Sequence, residues 1–297
     1  MTRPLLVTGR TGQVGNALVN QGQRLAVVAV GRPEFDFDRP ETITDLFTSL
    51  APRAVVNAAA YTSVDAAESD PTGPFRANRD GPALLARLCR QADIPLIHVS
   101  TDYVFDGTKG KPYLESDSTA PLGVYGASKR AGEEEVMDAG GKAIVVRTSW
   151  VISPTGRNFV RSMLAARQKT DRLSVVADQR GRPTSARDLA AAVLAILRRI
   201  ERSGWQERYR GILHIAGSGE TTWHGLATAV FDLAARRGLA PPEIAAIGTA
   251  EWPTAARRPA DSRLDCSRLA AVFGLRLPLW HESLSPIIDE LLGAGDR

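Results

Sequence analysis

Short, almost uninterrupted apolar runs alternate with longer segments of helical periodicity through the first half of the chain. The runs at 5–8, 26–30, 54–57, 95–100 and 143–147 predict strands buried on both faces, since a half-exposed strand would alternate polar and apolar residues. Between them, 14–21, 41–50, 74–92 and 124–139 predict amphipathic helices. Strand and helix in strict alternation specify βαβ units, and the expected fold is α/β, a doubly wound parallel sheet.

Past residue 150 the pattern loosens. Strands are predicted at 173–176 and 212–215, and helices at 186–200, 223–237 and 284–292. Turn chemistry surrounds Pro154 and the pair Pro241-Pro242, and 249–261 is a long irregular stretch carrying Pro253 and Pro259. This predicts a first domain over 1–150, joined by parts of about 185–217 and 247–267, and a smaller, interleaved C-terminal lobe drawn mainly from 151–297. The segment 186–200 is apolar enough to return and cover the sheet. No internal repeat, low-complexity tract or heptad pattern interrupts this plan.

Composition narrows the function classes. With 297 residues, 43% of them hydrophobic, the chain can bury a large core. No segment approaches the ~20 apolar residues of a membrane span, and the first residues enter a strand without a signal-peptide layout, so a cytoplasmic location is the default expectation. The 37 Lys and Arg against 33 Asp and Glu leave a net charge of +4, dispersed along the chain. Nucleic-acid binding needs clustered charge and is not indicated. A mildly basic surface suits an anionic small substrate, although such charge is more often only solvated surface. Cys89 and Cys266, far apart in helical patterns, read as structural rather than as a disulfide or metal pair.

Directly after the first strand comes Thr8-Gly9-Arg10-Thr11-Gly12-Gln13-Val14-Gly15, a Gly-x-x-Gly-x-x-Gly spacing that opens a helix. The first glycine permits the tight turn, the second lets backbone approach a pyrophosphate, and the third lets helix pack on strand, while the helix N-terminus offers N–H groups to phosphate. In this setting the motif marks a Rossmann-type dinucleotide site. An acidic residue ending the second strand would hold the ribose 2′-hydroxyl of NAD; here the strand ends Val30-Gly31-Arg32. Arg32, with Arg10, favours the 2′-phosphate of NADPH, leaving NADH as the second choice and plain surface as the bland reading. Asp36 and Phe37 are expected at the adenine edge. Ala58, Ala59 and Ala60, ending the third strand, are small enough to let a nicotinamide half lie flat.

Tyr125 and Lys129 are four residues apart on the first turn of a predicted helix and can face one site. A phenol titrates near ~10 and is a poor acid or base at neutral pH, but a nearby ammonium stabilises the phenolate. The fourth strand runs into Thr101, Asp102 and Tyr103, and ligands of parallel sheets lie outside the carboxyl ends of the strands, so the Thr101 hydroxyl arrives beside the Tyr125 phenol. Tyr125, Lys129 and Thr101 are the candidate catalytic residues, with Tyr125 and Lys129 also serving the cofactor.

These residues together resemble the extended short-chain dehydrogenases/reductases, and more narrowly the dTDP-4-dehydrorhamnose reductase family. The likeness runs through nearly the whole chain, at 9–15, 57–62 with 64–68, 100–105, 124–129, 147–151, 158–159, 178–179 with 183–184, 222–224, and 258–259 with 262–264. Thr-Asp-Tyr-Val-Phe and Arg-Thr-Ser-Trp-Val are the blocks specific to this branch. The resemblance implies that Tyr125 gives a proton to the C4 oxygen of a nucleotide-linked keto sugar as NADPH delivers hydride to C4. It implies that Lys129 holds the nicotinamide ribose and lowers the Tyr125 pKa, and that Thr101 positions the carbonyl. Asp102, Tyr103, Trp150, Asn158 and Arg258 are implied around the nucleotide-sugar substrate, an arginine suiting a diphosphate oxygen.

One departure stands out. Some bacterial members are dimers bridged by Mg²⁺ through glutamates, at positions that here are Ala17 and Arg187. An arginine cannot ligate a hard cation, so no metal site is expected, and a homodimer, if formed, would lack that bridge. Trp223 and His224 read as packed or capping residues, and Asp65 with Glu68 as a solvated acidic pair. Two other functions remain in view: a sugar-nucleotide epimerase or dehydratase of the same superfamily with tightly bound NAD, and a non-catalytic cofactor-sensing regulatory subunit.

Overall fold

The computed structural model describes residues 3–293. Six parallel strands form the central sheet: β1 (Leu5–Thr8), β2 (Val27–Val30), β3 (Ala54–Asn57), β4 (Leu96–Thr101), β5 (Ala143–Thr148) and β6 (Gly211–His214). Their order is β6-β5-β4-β3-β1-β2, the doubly wound arrangement expected from the alternation. Each residue of β1, β3 and β5 is buried, which is why these strands read as unbroken apolar runs.

Helices cover both faces. On one, α1 (Gln13–Gln21) and the long helix Ala186–Ser203 pack over Leu5, Val7, Val56 and Val146. Ala186–Ser203 comes from beyond residue 150, and its buried Leu189, Val193 and Ile196 complete this core. On the other face α2 (Pro40–Leu50), α3 (Gly81–Gln91) and α4 (Val124–Asp138) cover Leu6, Val55, Leu96 and Val145. The smaller lobe is built around α5 (Phe159–Arg167), α7 (Trp223–Ala235) and α8 (Trp280–Gly293), where Ile152, Leu226, Val230, Leu284 and Ile288 form a separate cluster; Ala186–Ser203 is α6. Two strands of this lobe, Arg172–Val176 and Glu243–Ile247, pair in parallel. The second is not among the expected strands: its apolar run, Ile244-Ala245-Ala246-Ile247, is short and half alanine, a residue of low strand propensity.

The predicted helix over 74–92 is broken. Thr72–Phe75 is helical, Arg76–Asp80 widens into a π-turn, and α3 begins only at Gly81. Asn78 sits in that turn with its side chain fully committed: Oδ1 accepts from Tyr61 N at 2.9 Å, and Nδ2 donates to Tyr61 O at 3.0 Å and Ser128 Oγ at 3.0 Å. The widened turn thus fastens the segment after β3 to α4, a tertiary cause that periodicity cannot reveal.

The approach of α4 to this turn leaves no space for a methyl group. A Cβ on Gly132 would stand 1.9 Å from the Asn78 carbonyl oxygen, a backbone atom with no freedom to move aside. Gly132→Ala is expected to lower stability by about 1–3 kcal/mol through overpacking, despite the ~1 kcal/mol that alanine gains in a helix interior. Denaturant midpoints check this; an unchanged or raised midpoint would show that α4 can back away from the turn.

Candidate active site

The floor of the cleft is the row of carboxyl ends of β1, β3 and β4. Gly9 follows β1 with φ +78°, and a Cβ there would lie 2.8 Å from both Ala58 O and Ala59 N, so the glycine loop rests on the end of β3. A Cβ on Gly15 would meet the Gly9 carbonyl oxygen at 2.1 Å, which fixes how tightly α1 folds back on the loop. Gly12 caps α1 without any side-chain hydrogen bond, leaving the first-turn N–H groups to a ligand. Arg10, Thr11 and Gly12 are exposed beside them, and Gln13 Oε1 is buried without a partner. This cradle of backbone donors, kept open by glycines, fits a dinucleotide pyrophosphate.

At the end of β2 the structure brings Arg10 and Arg32 to one edge of the loop. The Arg10 side chain passes over Gly31 and pairs with Glu34 at 3.4 Å, while Arg32 reaches Asp36 at 3.1 Å and Asp38 at 3.2 Å. These exposed pairs are weak and yield readily to a phosphate. Phe37 corrects an expectation: its ring is buried, edge-on to Phe35 and pressed on Gly81, so this position offers a ligand no aromatic surface.

Thr101, the last residue of β4, and Tyr125, in the first turn of α4, come together as expected. The Thr101 hydroxyl accepts from Tyr103 N at 3.2 Å and donates to Asp102 Oδ1 at 3.1 Å. Tyr103 lies edge-on to the Tyr125 ring at 5.8 Å between centroids. Asp102 is buried, and its Oδ2 has no hydrogen-bond partner, although the nearby Ser262 hydroxyl tends to lower its pKa. Burial outweighs that and raises Asp102 to about 7.

Lys129 is buried on the sheet side of α4, donating to the Val99 carbonyl at 2.7 Å with His98 Nε2 at 3.4 Å. Burial lowers it to about 8, against an opposing pull from Glu133. The expected lowering of the Tyr125 pKa by Lys129 does not show in this protein alone. Burial raises the phenol to about 12, the neighbouring Thr101 hydroxyl works the other way, and the charge of Asp102 adds to the rise. Lys129 instead spends its hydrogen bonds on β4, so in this protein alone Tyr125 is a firmly protonated acid.

The acidic pair dismissed as solvated is structural to the site. Glu68 Oε1 accepts from Val124 N at 2.8 Å and so caps the helix that carries Tyr125 and Lys129. Asp65 binds Arg258 at 2.7 Å and accepts from Ala256 N at 3.1 Å, pinning the irregular 254–258 segment over the cleft. The Arg258 hydrogen bond holds the Asp65 carboxyl below its ordinary value. Arg258 is therefore already paired, whereas the exposed Arg257, which the sequence did not single out, lines a small pocket with Tyr103 and Tyr125. Arg263 is neutralised by Asp261 and Glu220, each at 2.6 Å.

Asn158 is a further correction. Its Oδ1 accepts from Arg161 N at 3.3 Å and its Nδ2 donates to Ser153 O at 2.8 Å, so it caps α5 and has little left for a substrate. Trp150 adopts φ +46° and stacks on Trp223 with centroids 3.5 Å apart, its indole lying over Gly181. Trp223 donates to Gln179 Oε1 at 3.1 Å, and His224 faces the Ile244 carbonyl, both packed roles as expected. Arg187 is paired with Glu290, Ala17 is buried, and among the described residues no group of three His, Cys, Asp or Glu is placed to hold a metal. Among them, too, no helix is long and apolar enough to cross a membrane.

A glycine loop and a Thr-Tyr-Lys set meeting at the carboxyl ends of a parallel sheet define a Rossmann-fold, dinucleotide-dependent oxidoreductase of the extended short-chain dehydrogenase/reductase class. A family model described as the RmlD substrate binding domain matches residues 2–292, and the chain belongs to that family. It is 45% identical over 292 residues, 98% of each chain, to dTDP-4-dehydrorhamnose reductase of Sinorhizobium fredii (strain NBRC 101917 / NGR234). The fold superposes on a crystal structure of dTDP-4-dehydrorhamnose reductase from Bacillus anthracis str. Ames in complex with NADP, with TM-score 0.89 and 29% identity over 98% of this chain and 100% of that one. A Clostridium acetobutylicum ortholog gives TM-score 0.90 and 32% identity over 97% and 99%.

Asp102 has a consequence for stability. An unfolded carboxyl of ordinary value 3.8 is ionised above about pH 4, whereas in the folded protein it holds its proton to about 7. Over that window the folded state binds more protons, so its stability falls as pH rises and the loss is complete above it. Asp102→Asn is expected to remove this loss, gaining about 2–4 kcal/mol at pH 8 relative to the parent and little at pH 4. Denaturant melts at both pH values check it; a variant equally destabilised at both would show that the carboxylate is stabilised by partners the geometry does not include.

Proposed function

We propose that the chain catalyses the NADPH-dependent reduction of the C4 keto group of a nucleotide-linked deoxysugar, dTDP-4-dehydro-L-rhamnose, to dTDP-L-rhamnose. The observation that carries this reading is the placement of Thr101 at the end of β4 and of Tyr125 in the first turn of α4, with Lys129 one turn on and buried against β4, in a chain that matches dTDP-4-dehydrorhamnose reductases along its length. When bound, the reduced nicotinamide supplies the hydride. The protein contributes alignment and one acid. Tyr125 gives its phenolic proton to the carbonyl oxygen as carbon is reduced, and Lys129, deprived of solvent, holds the cofactor ribose and stabilises the phenolate left behind. Thr101 completes the carbonyl site, and Arg257 and Arg258 suit the diphosphate.

The raised pKa of Tyr125 supports an acid rather than a base at rest, which is the direction a reductase needs. In an assay where the keto sugar is generated in place, the parent is expected to oxidise NADPH only when that sugar is present. Tyr125→Phe is expected to lower turnover by about 10²–10⁴-fold while NADPH affinity stays within about twofold. Indifference of turnover to this change would favour a sensor, and stoichiometric NAD retained through purification would favour the epimerase or dehydratase reading.

The preference for NADPH rests on Arg10 and Arg32 at the end of β2. Replacing both by serine is expected to raise KM for NADPH about tenfold or more and to leave KM for NADH within about threefold, the difference of charge-assisted bonds to a 2′-phosphate. Equal changes for both cofactors would remove these arginines from the argument.

A further inference from the structure

His98 stands in the middle of β4, fully buried, and no role above uses it. Its ring bridges two residues that matter to the cleft: Nδ1 lies 3.0 Å from Asn57 Nδ2, and Nε2 lies 3.4 Å from Lys129 Nζ. Asn57 Oδ1 in turn lies 2.6 Å from the Thr8 hydroxyl, which accepts from Ala59 N at 3.2 Å. Thr8 is the residue before Gly9. Four side chains from β1, β3, β4 and α4 thus form one buried polar row running beneath the cleft from the glycine loop to Lys129.

We propose that His98 is a positioning residue for the reduction, its Nε2 lone pair fixing the Lys129 ammonium while Asn57 and Thr8 fix the ring. The proposal rests on the reductase reading, in which Lys129 serves Tyr125. A buried ammonium must use its donors, and it has three and no acceptor. The Val99 carbonyl takes one and His98 Nε2 takes a second, leaving one for a ligand in the cleft. Of the charged groups nearby, Glu133 follows one turn on in α4 and is itself clasped by Arg147 of β5 and by Ser100 of β4, so it pulls on Lys129 without touching it. Among the described residues no other group fixes the direction of Nζ.

This role dictates the direction of every bond in the row. If Nε2 accepts from the ammonium, Nδ1 carries the ring proton, and Asn57 must then turn its amide oxygen to His98 and its NH₂ to Thr8. An amide turned end for end keeps its shape, so this arrangement satisfies the same contacts with the two amide atoms exchanged. The Thr8 oxygen then accepts from both Asn57 and Ala59, and its own hydrogen is free to point toward the glycine loop. The opposite arrangement, with Asn57 Nδ2 donating to Nδ1, would put an Nε2–H against the ammonium. Burial keeps the imidazole neutral, aided by the charge of Lys129, so the ring has only these two tautomers to choose between.

Two isosteric substitutions separate the ends of the ring. Glutamine places an amide where Nε2 was, and asparagine places one where Nδ1 was. His98→Gln is expected to keep kcat within about threefold of the parent, and His98→Asn to lower it about tenfold or more with the Kd of NADPH within about twofold, the loss of one contact to a charged group. Equal impairment of the two variants, as simple disturbance of a buried position would give, overturns the proposal. A second measurement does not depend on turnover: nitrogen NMR of histidine-labelled, cofactor-free protein near pH 7, with whichever of His98→Gln and His98→Asn folds used to assign the His98 signal among the four histidines. An Nδ1–H tautomer at His98 supports the proposal, and an Nε2–H tautomer overturns it. Should the parent fail to reduce the keto sugar at all, the reductase reading fails, while the tautomer still reports whether His98 accepts from Lys129.

Discussion

The ammonium of Lys129 is buried between α4 and β4, and much of the polar interior is arranged so that it can stay there. Burying a charge without partners costs several kcal/mol, so the residues around it are constrained in type and in place. Val99 supplies a carbonyl and His98 a ring nitrogen, both from β4. One turn further along α4, Glu133 is also buried and is held by two parallel bonds from Arg147, at 3.0 and 2.6 Å. A cation and an anion on one helix face therefore require polar residues at the ends of β3, β4 and β5, where an apolar sheet would otherwise be sufficient. The close packing of Gly132 on Asn78 follows from the same demand, since α4 must lie near enough to the sheet for both charged side chains to reach it.

A second polar system meets the first at Tyr125. Asp102 and Thr101 approach the phenol from the end of β4, while Lys129, one turn along α4, reaches the middle of that strand. The environments push the two groups' pKa values apart, with Tyr125 raised to about 12 and Lys129 lowered to about 8. Such separation is how a site keeps a proton on the group that must deliver it. The Thr101 proton is directed at Asp102 in this structure, so the protonation of Asp102 decides whether that hydroxyl is free to donate elsewhere. On the proposed function, the Thr101 hydroxyl at the carbonyl site is thus governed by the neighbouring carboxyl.

The legible part of the fold was the part whose cause is local. β1 and β3 were placed to the residue because a strand buried on both faces has no polar interruption, and the glycine loop was legible because its spacing, strand before and helix after, is itself the cause of its shape. The misread residues share a different cause. Asn78, Glu68, Asp65 and Asn158 act through partners distant in the chain or through a cap whose backbone geometry is visible only once folded. Phe37 was misplaced because an apolar residue after a strand end can turn to a ligand or to the core, and only the absence of a side chain at Gly81 decides it. His98 gave no signal at all, as one histidine in an apolar strand is indistinguishable from a satisfied core residue.

The smaller lobe sets the limits of what those catalytic residues determine. Tyr125, Lys129 and Thr101 come from β4 and α4, which belong to the sheet, and any carbonyl delivered to them would meet the same acid. In the proposed reading delivery falls to Trp150, which is stacked on Trp223 of α7 and rests on Gly181, and to the 254–258 segment that Asp65 ties to the residues following β3. Trp150 occupies the left-handed region of backbone space, unusual for a bulky residue, and it sits where β5 leaves the sheet for the second lobe. Strain at that position is held by two aromatic faces and a glycine floor, so the orientation of the indole is imposed by the lobe it introduces. On the proposed function, reaction class and substrate identity therefore reside in different parts of the chain, joined at a single tryptophan.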